Sequence, residues 1–479
     1  MSGSNTLWTA KDAALATNGD AKGDWSATGV SIDSRTVKKG DLFIAIKGDQ
    51  SDGHDYVADA IKKGAAAAIV SKSVEGVPES KLLIVKDTFV AMQDLGKAAR
   101  QRSGATVFGI TGSVGKTGTK EFLATALNAL GQTHASVKSY NNHWGVPYTL
   151  SSMHAGSDYG IFEMGMNHSG EITPLSRQVR PDIAIITTIA PVHVGNFENG
   201  MEGIAAAKAE ILEGMEEGAK IILPRDNDWF DYLQRAAVRK KVSVYSFGEH
   251  EQADARLIEC LEAANGSRIK ADVMGESISY TLQIAGRHIA VNSLAVLLAV
   301  KLAGGDVQKA AKALSKQEPI VGRGKRETLD IGDKSNPVTL IDESYNASPA
   351  AMRAAFKVLA LIDPGRGGRR IAVLGDMLEL GPDGPRHHTE LALPLKTANV
   401  DLVYTCGKLM KNLHDSLPAN QRGEHTETSA ELAQIVPDVL VPGDVVMVKG
   451  SLGSKMGAVV EALRALPEKT AKNKKGQAL

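Results

Sequence analysis

A glycine-rich segment, Val107-Phe-Gly-Ile-Thr-Gly-Ser-Val-Gly-Lys-Thr-Gly-Thr-Lys120, lies in the first third of the 479-residue chain. Residues 107–110 predict a short apolar strand, and the apolar residues after the turn recur at helical spacing until Gly131. Backbone N–H groups at such a turn and at the start of the helix attract anions, so the segment predicts a phosphate-binding loop. Lys116 would reach the outer phosphates of a nucleotide, and the Thr117 hydroxyl would bind its Mg²⁺.

The glycine spacing of this loop departs from the general P-loop pattern, which has glycine where Ile110 stands. A Gly-Lys-Thr sequence at the start of a helix can also be simple turn chemistry. The strand before it and the helix after it favour phosphate binding. The residues expected around the phosphates are Gly112, Ser113, Gly115, Lys116 and Thr117.

The composition excludes several classes of protein. Lys plus Arg and Asp plus Glu are 55 each, so no net charge attracts nucleic acid or an anionic membrane. No apolar run approaches the ~20 residues that span a bilayer, and the N-terminus lacks the pattern of a signal peptide. The chain has two cysteines, Cys260 and Cys406, which are far apart in sequence and lack the spacing of metal ligands. So few cysteines are typical of proteins from a reducing compartment. We therefore expect a cytoplasmic protein.

The length of the chain predicts about three domains. The first, 1–104, contains short apolar strands and turn-rich loops. Within it, Ser34 and Arg35 follow a predicted strand and are candidates to bind a phosphate or a uracil, although an exposed arginine in a turn is as often simply solvated. The second domain, 105–317, begins at the phosphate loop, and Pro and Gly residues after Gln317 predict a hinge.

The third domain, 318–479, repeats a pattern of apolar strand, polar turn and helix, which predicts a parallel, Rossmann-like sheet without the dinucleotide fingerprint. The fold class is therefore α/β throughout. We expect a small N-terminal α/β domain, a central P-loop-type parallel sheet with an antiparallel flank, and a C-terminal Rossmann-like domain.

Two polar residues follow apolar strands of the central domain. Glu163 ends the predicted strand 159–164, and the strand 182–189 leads through Pro191 to His193. A lone histidine after a strand is often a local hydrogen-bonding residue. However, the carboxyl ends of parallel strands meet at one edge of a sheet, beside the phosphate loop, where Glu163 would bind magnesium. His193 follows a strand that ends at this same edge of the sheet, and this favours a functional role for His193 as well.

Lys208 interrupts an otherwise apolar helix face. The apolar positions are Met201, Ile204, Ala205, Ile211, Leu212 and Met215. A lysine at such a position normally extends its ammonium to solvent. If it stays inside, it must find anions, lose its proton or be modified.

Together these motifs resemble the Mur ligase family of peptidoglycan synthesis over nearly the whole chain. The central-domain motifs are Thr111 to Thr117, Glu163-Met-Gly-Met-Asn-His168, Ala190-Pro-Val-His193 and Lys208-Ala-Glu-Ile211. The segments Asp33-Ser-Arg35, Asp41-Leu-Phe43 and Asp52-Gly-His54 resemble the UDP-binding domain shared by the last two ligases of that pathway.

Three further segments resemble the ligase of the final step, which adds D-alanyl-D-alanine. They are Tyr140-Asn-Asn-His-Trp-Gly-Val-Pro147, Asp342-Glu-Ser-Tyr-Asn-Ala-Ser-Pro349 and Leu374-Gly-Asp-Met-Leu-Glu-Leu-Gly381. The sequence lacks the Asp-Asn-Pro-Arg motif of the preceding ligase. It departs from the family at Ser348, where asparagine is usual, and at Leu452, where arginine is common.

The resemblance implies an ATP-dependent ligase that joins D-Ala-D-Ala to UDP-MurNAc-tripeptide through an acyl phosphate. It also implies a monomer whose domains close over the site before the chemistry. The implied catalytic residues are Lys116, Glu163, His193 and Lys208. The implied ligands of Mg²⁺ are Thr117, Glu163, His193 and a carbamylated Lys208. Asn292, Arg323 and Asp342 are implied at the adenosine, and Ser34, Arg35, Asn141, Asn142, Tyr345 and Asn346 at the other substrates.

Four alternatives stay open at this point. Another Mur-type ligase would form the tripeptide instead. A folylpolyglutamate synthetase-like ligase would lack the domain that carries Asp33-Ser-Arg35. A regulatory GTPase would carry an Asn-Lys-x-Asp motif, which the sequence does not contain. A kinase would release a stable phosphorylated product without needing an amine.

Overall fold

The computed structural model describes residues 6–48, 51–137, 139–192 and 194–467. The predicted α/β class is confirmed, with one sheet of five or more strands in each of three successive parts of the chain. The expected boundaries after residues 104 and 317 remain predictions, and both fall between sheets. In the described ranges, every helix is too short or too polar to cross a lipid bilayer.

The first part contains a five-stranded sheet in the order β2-β7-β6-β5-β4, in which β2 alone is antiparallel, and a short ribbon of β1 and β3. Buried side chains cover both faces of the sheet. Its strands are β1 Trp8–Thr9, β2 Asp20–Ala21, β3 Ser26–Ala27, β4 Gly29–Ser31, β5 Asp41–Ile44, β6 Ala67–Val70 and β7 Leu82–Ile84, and its helices are α1 Ala10–Thr17, α2 Val57–Lys62 and α3 Thr88–Arg102.

The central part contains a nine-stranded sheet in the order β16-β15-β14-β13-β12-β11-β8-β10-β9. Its strands are β8 Thr106–Thr111, β9 Thr133–Ala135, β10 Tyr159–Glu163, β11 Ile183–Ile186, β12 Lys220–Pro224, β13 Ser243–Gly248, β14 Ala255–Ala263, β15 Gly266–Val273 and β16 Glu276–Leu282. Its helices are α4 Lys116–Asn128, α5 Gly145–Ser151, α6 Ile172–Val179, α7 Gly200–Ala209, α8 Phe230–Arg239, α9 Arg287–Leu302 and α10 Val307–Leu314. The seven strands β8 to β14 pair in parallel, and β14 to β16 form the predicted antiparallel flank.

The third part contains a six-stranded sheet in the order β17-β18-β22-β19-β20-β21, parallel except for β17. Its strands are β17 Lys325–Leu329, β18 Val338–Glu343, β19 Arg370–Gly375, β20 Leu402–Cys406, β21 Arg422–Thr426 and β22 Val445–Lys449, and its helices are α11 Pro349–Ala360, α12 Gly384–Thr389, α13 Ala392–Thr397, α14 Lys411–Ser416, α15 Ser429–Val439 and α16 Gly457–Arg464. Ser348 caps α11, with Pro349 at its first position, and this explains why the helix begins there.

The two junctions between the parts differ in construction. At the first, α3 packs on α5, the buried Trp8 donates from Nε1 to the carbonyl of Ser151 at 2.8 Å, and the Arg102 guanidinium lies 3.7 Å from the Trp8 ring centre. At the second, the predicted hinge contains Gly322 and Gly324, both with positive φ angles. The first junction is therefore a packed contact built around a buried, hydrogen-bonded indole, and the second is a turn-forming connection.

Candidate active site

The predicted phosphate loop connects β8 to α4 and lies against the end of β11. The Ser113 amide donates to the carbonyl of Thr188 at 2.8 Å, and Ser113 Oγ accepts the Ala190 amide at 3.0 Å. Gly112 has a φ of 145°, and a Cβ there would collide with the Thr187 hydroxyl. The loop is thus built from backbone, with N–H groups and the N-terminus of α4 left to meet a phosphate.

Lys116 stands at the first position of α4, and its Nζ donates to the carbonyl of Gly112 at 2.8 Å. Burial lowers the pKa of this ammonium, the nearby Glu163 carboxylate opposes the shift, and Arg323 reinforces it. The side chain is therefore held beside the loop in the position expected of a phosphate-binding lysine.

Glu163 ends β10 as predicted, and only 1% of the residue is exposed. Its Oε1 accepts from Thr117 Oγ1 at 3.2 Å and from Asn141 Nδ2 at 2.7 Å. Within the described residues, its Oε2 is buried without a hydrogen-bond donor. A buried carboxylate oxygen without a partner is costly unless something binds it, and a hard cation such as Mg²⁺ suits it.

Lys208 lies on α7 and is 2% exposed. In the described parts of the chain no carboxylate lies within ion-pair distance of its Nζ. Burial, and then the neighbouring Lys116, hold the pKa of Lys208 well below its usual range, against the pull of Glu210, Glu171 and Glu163. Of the two positions open to it from the sequence, Lys208 therefore takes the buried one and does not extend its ammonium to solvent.

His193 lies outside the described residues. The preceding Val192 lines the same cavity as Lys116 and Glu163. No group of three or more His, Cys, Asp or Glu side chains converges in the described ranges. A magnesium ion would therefore depend on the mixed set of Thr117, Glu163 and Lys208, with residue 193 in addition.

Lys116, Thr117 and Glu163 line a cavity of about 920 Å³ between the central and third parts of the chain, whereas Lys208 is not on the cavity wall. The cavity wall includes several residues predicted at the adenosine or at the substrates. They are Asn292 and Arg323 for the adenosine, and Asn141, Tyr345 and Asn346 for the other substrates.

Two side chains connect the third part to the phosphate loop. The Arg323 guanidinium donates to Thr117 Oγ1 at 3.2 Å and lies 4.3 Å from the centre of the Tyr345 ring. The Tyr345 hydroxyl donates to Ser139 Oγ at 2.7 Å, and Ser139 Oγ lies 3.4 Å from Thr117 Oγ1. The expected magnesium ligand Thr117 thus contacts the hinge arginine directly and Tyr345 through Ser139. Ser139 was missed because its partners are 22 and 206 residues away in sequence.

Asp342 is not on the cavity wall. Its carboxylate is buried, accepts from Arg464 at 3.1 Å and accepts the Ser344 hydroxyl at 2.6 Å. The next residue, Glu343, lines the cavity instead and pairs with Lys449 at 2.9 Å. The adenosine role of Asp342 therefore remains a prediction without a direct contact to the cavity. Neither Glu343 nor Lys449 was singled out from the sequence.

Ser34, Arg35 and Asn142 also lie outside the cavity wall. Arg35 is exposed and pairs with Asp33 through Nη2 at 2.7 Å, which lowers the pKa of Asp33 to about 2. The carbonyl of Ser34 accepts from Lys63 at 2.9 Å. Asn142 Oδ1 accepts the amides of Trp144 and Gly145 at 3.2 and 3.0 Å, so it shapes the start of α5. Substrate binding by these three residues remains a prediction.

The loop after β19 brings the third part against the central part at a second point. A Cβ on Gly195 would lie 2.9 Å from the Cα of Gly381. Behind this loop, the fully buried His388 accepts the Met377 amide at Nε2 over 2.9 Å, and its Nδ1 lies 2.6 Å from the carbonyl of Gly384. Burial lowers the pKa of His388, which favours the neutral ring that this pair of contacts requires.

Comparison with known families and proteins gives one consistent result. Family models described as Mur ligase family, catalytic domain, Mur ligase middle domain, and Mur ligase, glutamate ligase domain match residues 26–101, 110–300 and 329–452. The chain is 34% identical over 458 residues to the UDP-N-acetylmuramoyl-tripeptide--D-alanyl-D-alanine ligase of Rickettsia prowazekii, covering 95% of this chain and 99% of that one. It is 32% identical to the ligase of the same name from Bacillus subtilis, covering 92% and 93%.

Solved structures agree with the sequence relatives. A crystal structure of MurF from Acinetobacter baumannii superposes with a TM-score of 0.81 at 28% identity, over 95% of this chain and 98% of that one. A folylpolyglutamate synthase from Mycobacterium tuberculosis gives a TM-score of 0.59 at 17% identity, over 78% of this chain and 93% of the synthase. The second likeness concerns the fold alone.

Proposed function

The chain belongs to the Mur ligase family, and we propose that it joins D-Ala-D-Ala to UDP-MurNAc-tripeptide with ATP as the energy source. The observation that carries the proposal is that the UDP-N-acetylmuramoyl-tripeptide--D-alanyl-D-alanine ligase of Rickettsia prowazekii matches 95% of this chain over 99% of its own length. The cavity supports it, because it combines a phosphate loop, the loop lysine Lys116 and the buried carboxylate of Glu163 where the central and third parts of the chain meet.

The chemistry has two steps. The terminal carboxylate of the tripeptide attacks the γ-phosphorus of ATP, and ADP leaves. The amine of D-Ala-D-Ala then attacks the acyl phosphate, an amide bond forms, and inorganic phosphate leaves. Phosphoryl transfer needs positioning and charge neutralisation more than covalent help from the protein. The N–H groups of the loop and the Lys116 ammonium supply these from this chain.

The residues present fit magnesium. When bound, Mg²⁺ would neutralise phosphate oxygens and align them. Thr117, Glu163, His193 and Lys208 would hold it, and the unpartnered Oε2 of Glu163 is the observation that supports this set.

Lys208 suits this role only after modification. In the described parts of the chain no carboxylate lies within ion-pair distance of its buried Nζ, and burial and Lys116 outweigh the more distant Glu210, Glu171 and Glu163, so the neutral amine is favoured. In our proposal this amine attacks the carbon of CO₂, a C–N bond forms, and the displaced proton leaves to water. The product is a carbamate with two oxygens of the kind that Mg²⁺ prefers.

The contacts between the domains support a site completed by closure. Arg323 and Tyr345 reach Thr117 and Ser139 from the hinge and the third domain. Closing these contacts around the acyl phosphate would keep water from hydrolysing it. On this proposal residues 1–104 hold the UDP end of the substrate, and the enzyme acts as a cytoplasmic monomer.

The test is a product assay. Purified protein is incubated with ATP, Mg²⁺, D-Ala-D-Ala and UDP-MurNAc-tripeptide containing either lysine or diaminopimelate, and products are identified by mass spectrometry. We expect the pentapeptide product with one of the tripeptides, together with phosphate whose release requires D-Ala-D-Ala. The control, Lys116→Ala, should lose on the order of 10² or more in rate. Phosphate release at the same rate with and without D-Ala-D-Ala, with no amide product, would disprove the proposed function.

A further inference from the structure

Glu210 makes a set of contacts that the reaction scheme does not use. Its carboxylate accepts the backbone amides of Gly170 at 2.5 Å, Ile172 at 3.0 Å and Thr173 at 3.0 Å, and also the Thr173 hydroxyl at 3.2 Å. Ile172 and Thr173 are the first two residues of α6, and Gly170 lies two residues before it. A carboxylate that collects the free N–H groups of a helix N-terminus is favoured both by charge-assisted hydrogen bonds and by the helix dipole.

The two segments joined by Glu210 both carry residues of the proposed site. Glu210 follows α7 directly and lies two residues after Lys208. Its amide partners lie near the end of the loop 164–171 and in the first turn of α6. This loop begins immediately after Glu163 and places Gly165, Met166 and Asn167 on the cavity wall. The carboxylate of Glu210 therefore bridges the backbone that follows Glu163 and the helix that carries Lys208.

Neighbouring contacts leave this bridge little freedom. Ser176 of α6 donates from Oγ to the carbonyl of Ile211 at 2.5 Å and accepts the Gly214 amide at 3.1 Å. A Cβ on Gly214 would collide with the backbone of Ser176. From the other side, Asn196 Nδ2 donates to the carbonyl of Asn167 at 3.2 Å. The loop after Glu163 is thus held by the segment that follows residue 193 and by the segment that follows Lys208.

We propose that Glu210 is a positioning residue for ligation, which sets the distance between Lys208 and Glu163 through the N-terminus of α6. The proposal rests on the proposed function. A simple helix cap would stabilise the fold without changing turnover by the folded enzyme. A positioning residue instead lowers turnover in a protein that is fully folded, because the two side chains no longer meet the phosphates in the same geometry.

The test compares Glu210→Gln with Glu213→Gln. Glu213 lies in the same short 3₁₀ helix, but its carboxylate pairs with Lys240 at 2.8 Å and Arg177 at 3.6 Å on the surface. We expect kcat of Glu210→Gln to fall about 10- to 100-fold, with KM for the UDP substrate unchanged. Hydrogen exchange at the amides of Gly170, Ile172 and Thr173 should become about tenfold faster. Glu213→Gln should keep kcat and the exchange rates of the wild type.

Normal kcat in a folded Glu210→Gln protein whose α6 amides exchange faster would overturn the proposal. A lower kcat with unchanged exchange would also overturn it. If Glu210→Gln does not fold, Thr173→Val tests the proposal instead, because it removes only the hydrogen bond from the Thr173 hydroxyl to the Glu210 carboxylate. It should lower kcat about two- to fivefold, and unchanged kcat would again contradict the proposal. A wild-type protein without ligase activity would refute the proposed function, whereas the exchange experiment would still test the bridge.

Discussion

The hydrogen bond between Tyr345 and Ser139 makes a quantitative prediction about how the third domain contributes to catalysis. Tyr345→Phe removes the hydroxyl that donates to Ser139 Oγ at 2.7 Å and leaves the ring in place beside Arg323. Ser139→Ala removes the acceptor of the same bond. Each variant deletes one partner of a half-buried contact, and the second contact of Ser139 Oγ, with Thr117 Oγ1, is long at 3.4 Å, so the pair suits a double-mutant cycle.

The expected size follows from the chemistry of the contact. A hydrogen bond between neutral groups contributes about 1 kcal/mol net, and about 1.4 kcal/mol corresponds to a tenfold change in rate. If the bond forms only in the closed, reactive state, each single variant should lower kcat/KM for ATP about fivefold. The double variant should lose about fivefold as well, because the bond can be lost only once.

The assay is initial-rate phosphate release at saturating UDP substrate and D-Ala-D-Ala, with ATP varied. A double variant whose loss is the product of the two single losses, about 25-fold, would show that the two hydroxyls act independently. Unchanged kcat/KM in both single variants would show that the bond does not serve the reaction. Either result would refute the reasoning.

Three further predictions follow from separate features. Lys208→Ala should be nearly inactive in phosphate release, and small carboxylic acids should restore part of the activity by supplying the missing oxygens; normal activity without them would contradict the carbamate. Gly195→Ala should lower kcat several-fold because its Cβ would lie 2.9 Å from the Cα of Gly381. The control Gly156→Ala, whose Cβ would have nothing within 4 Å, should keep the kcat of the wild type. Equal kcat in the two variants would show that the Gly195–Gly381 contact does not affect turnover. The folded-state pKa of His388 is below its unfolded value, so the unfolded chain binds more protons as pH falls below ~6.5 and stability declines by up to about 1.4 kcal/mol per pH unit. Urea titrations at pH 7, 6 and 5 should show a smaller decline for His388→Gln, and an identical decline would mean that His388 does not cause it.

The parts of the site that were predictable follow from regular geometry. The carboxyl ends of parallel strands share an edge, so the phosphate loop after β8 and Glu163 at the end of β10 were expected to lie together. The helical period of α7 placed Lys208 on an apolar face, and the residue is buried there. In both cases a local pattern fixed the environment of the side chain.

The parts that were not predictable depend on contacts distant in sequence. The family resemblance implied Asp342 at the adenosine, but β18 continues past it to Glu343. Successive side chains of a strand point to opposite faces, so Glu343 reaches the cavity while Asp342 faces inward to Arg464, 122 residues later. In the same way, the sequence around Glu210 does not show that its partners are 37 to 40 residues earlier. The helix containing Lys208 was also expected to continue past Ala209, where instead a 3₁₀ turn begins and directs Glu210 toward α6.

The packing of Trp8 and α3 against α5 has a consequence for selectivity. The Asp33–Arg35 turn and the phosphate loop belong to two domains joined by a buried indole, a backbone acceptor and an overlying guanidinium. Under the proposed function, a substrate must reach from one of these points to the other. The pair of domains then acts as a molecular ruler for the peptide, so a precursor shorter by one residue would bind its nucleotide end normally and yet fail to present its carboxylate to the γ-phosphate.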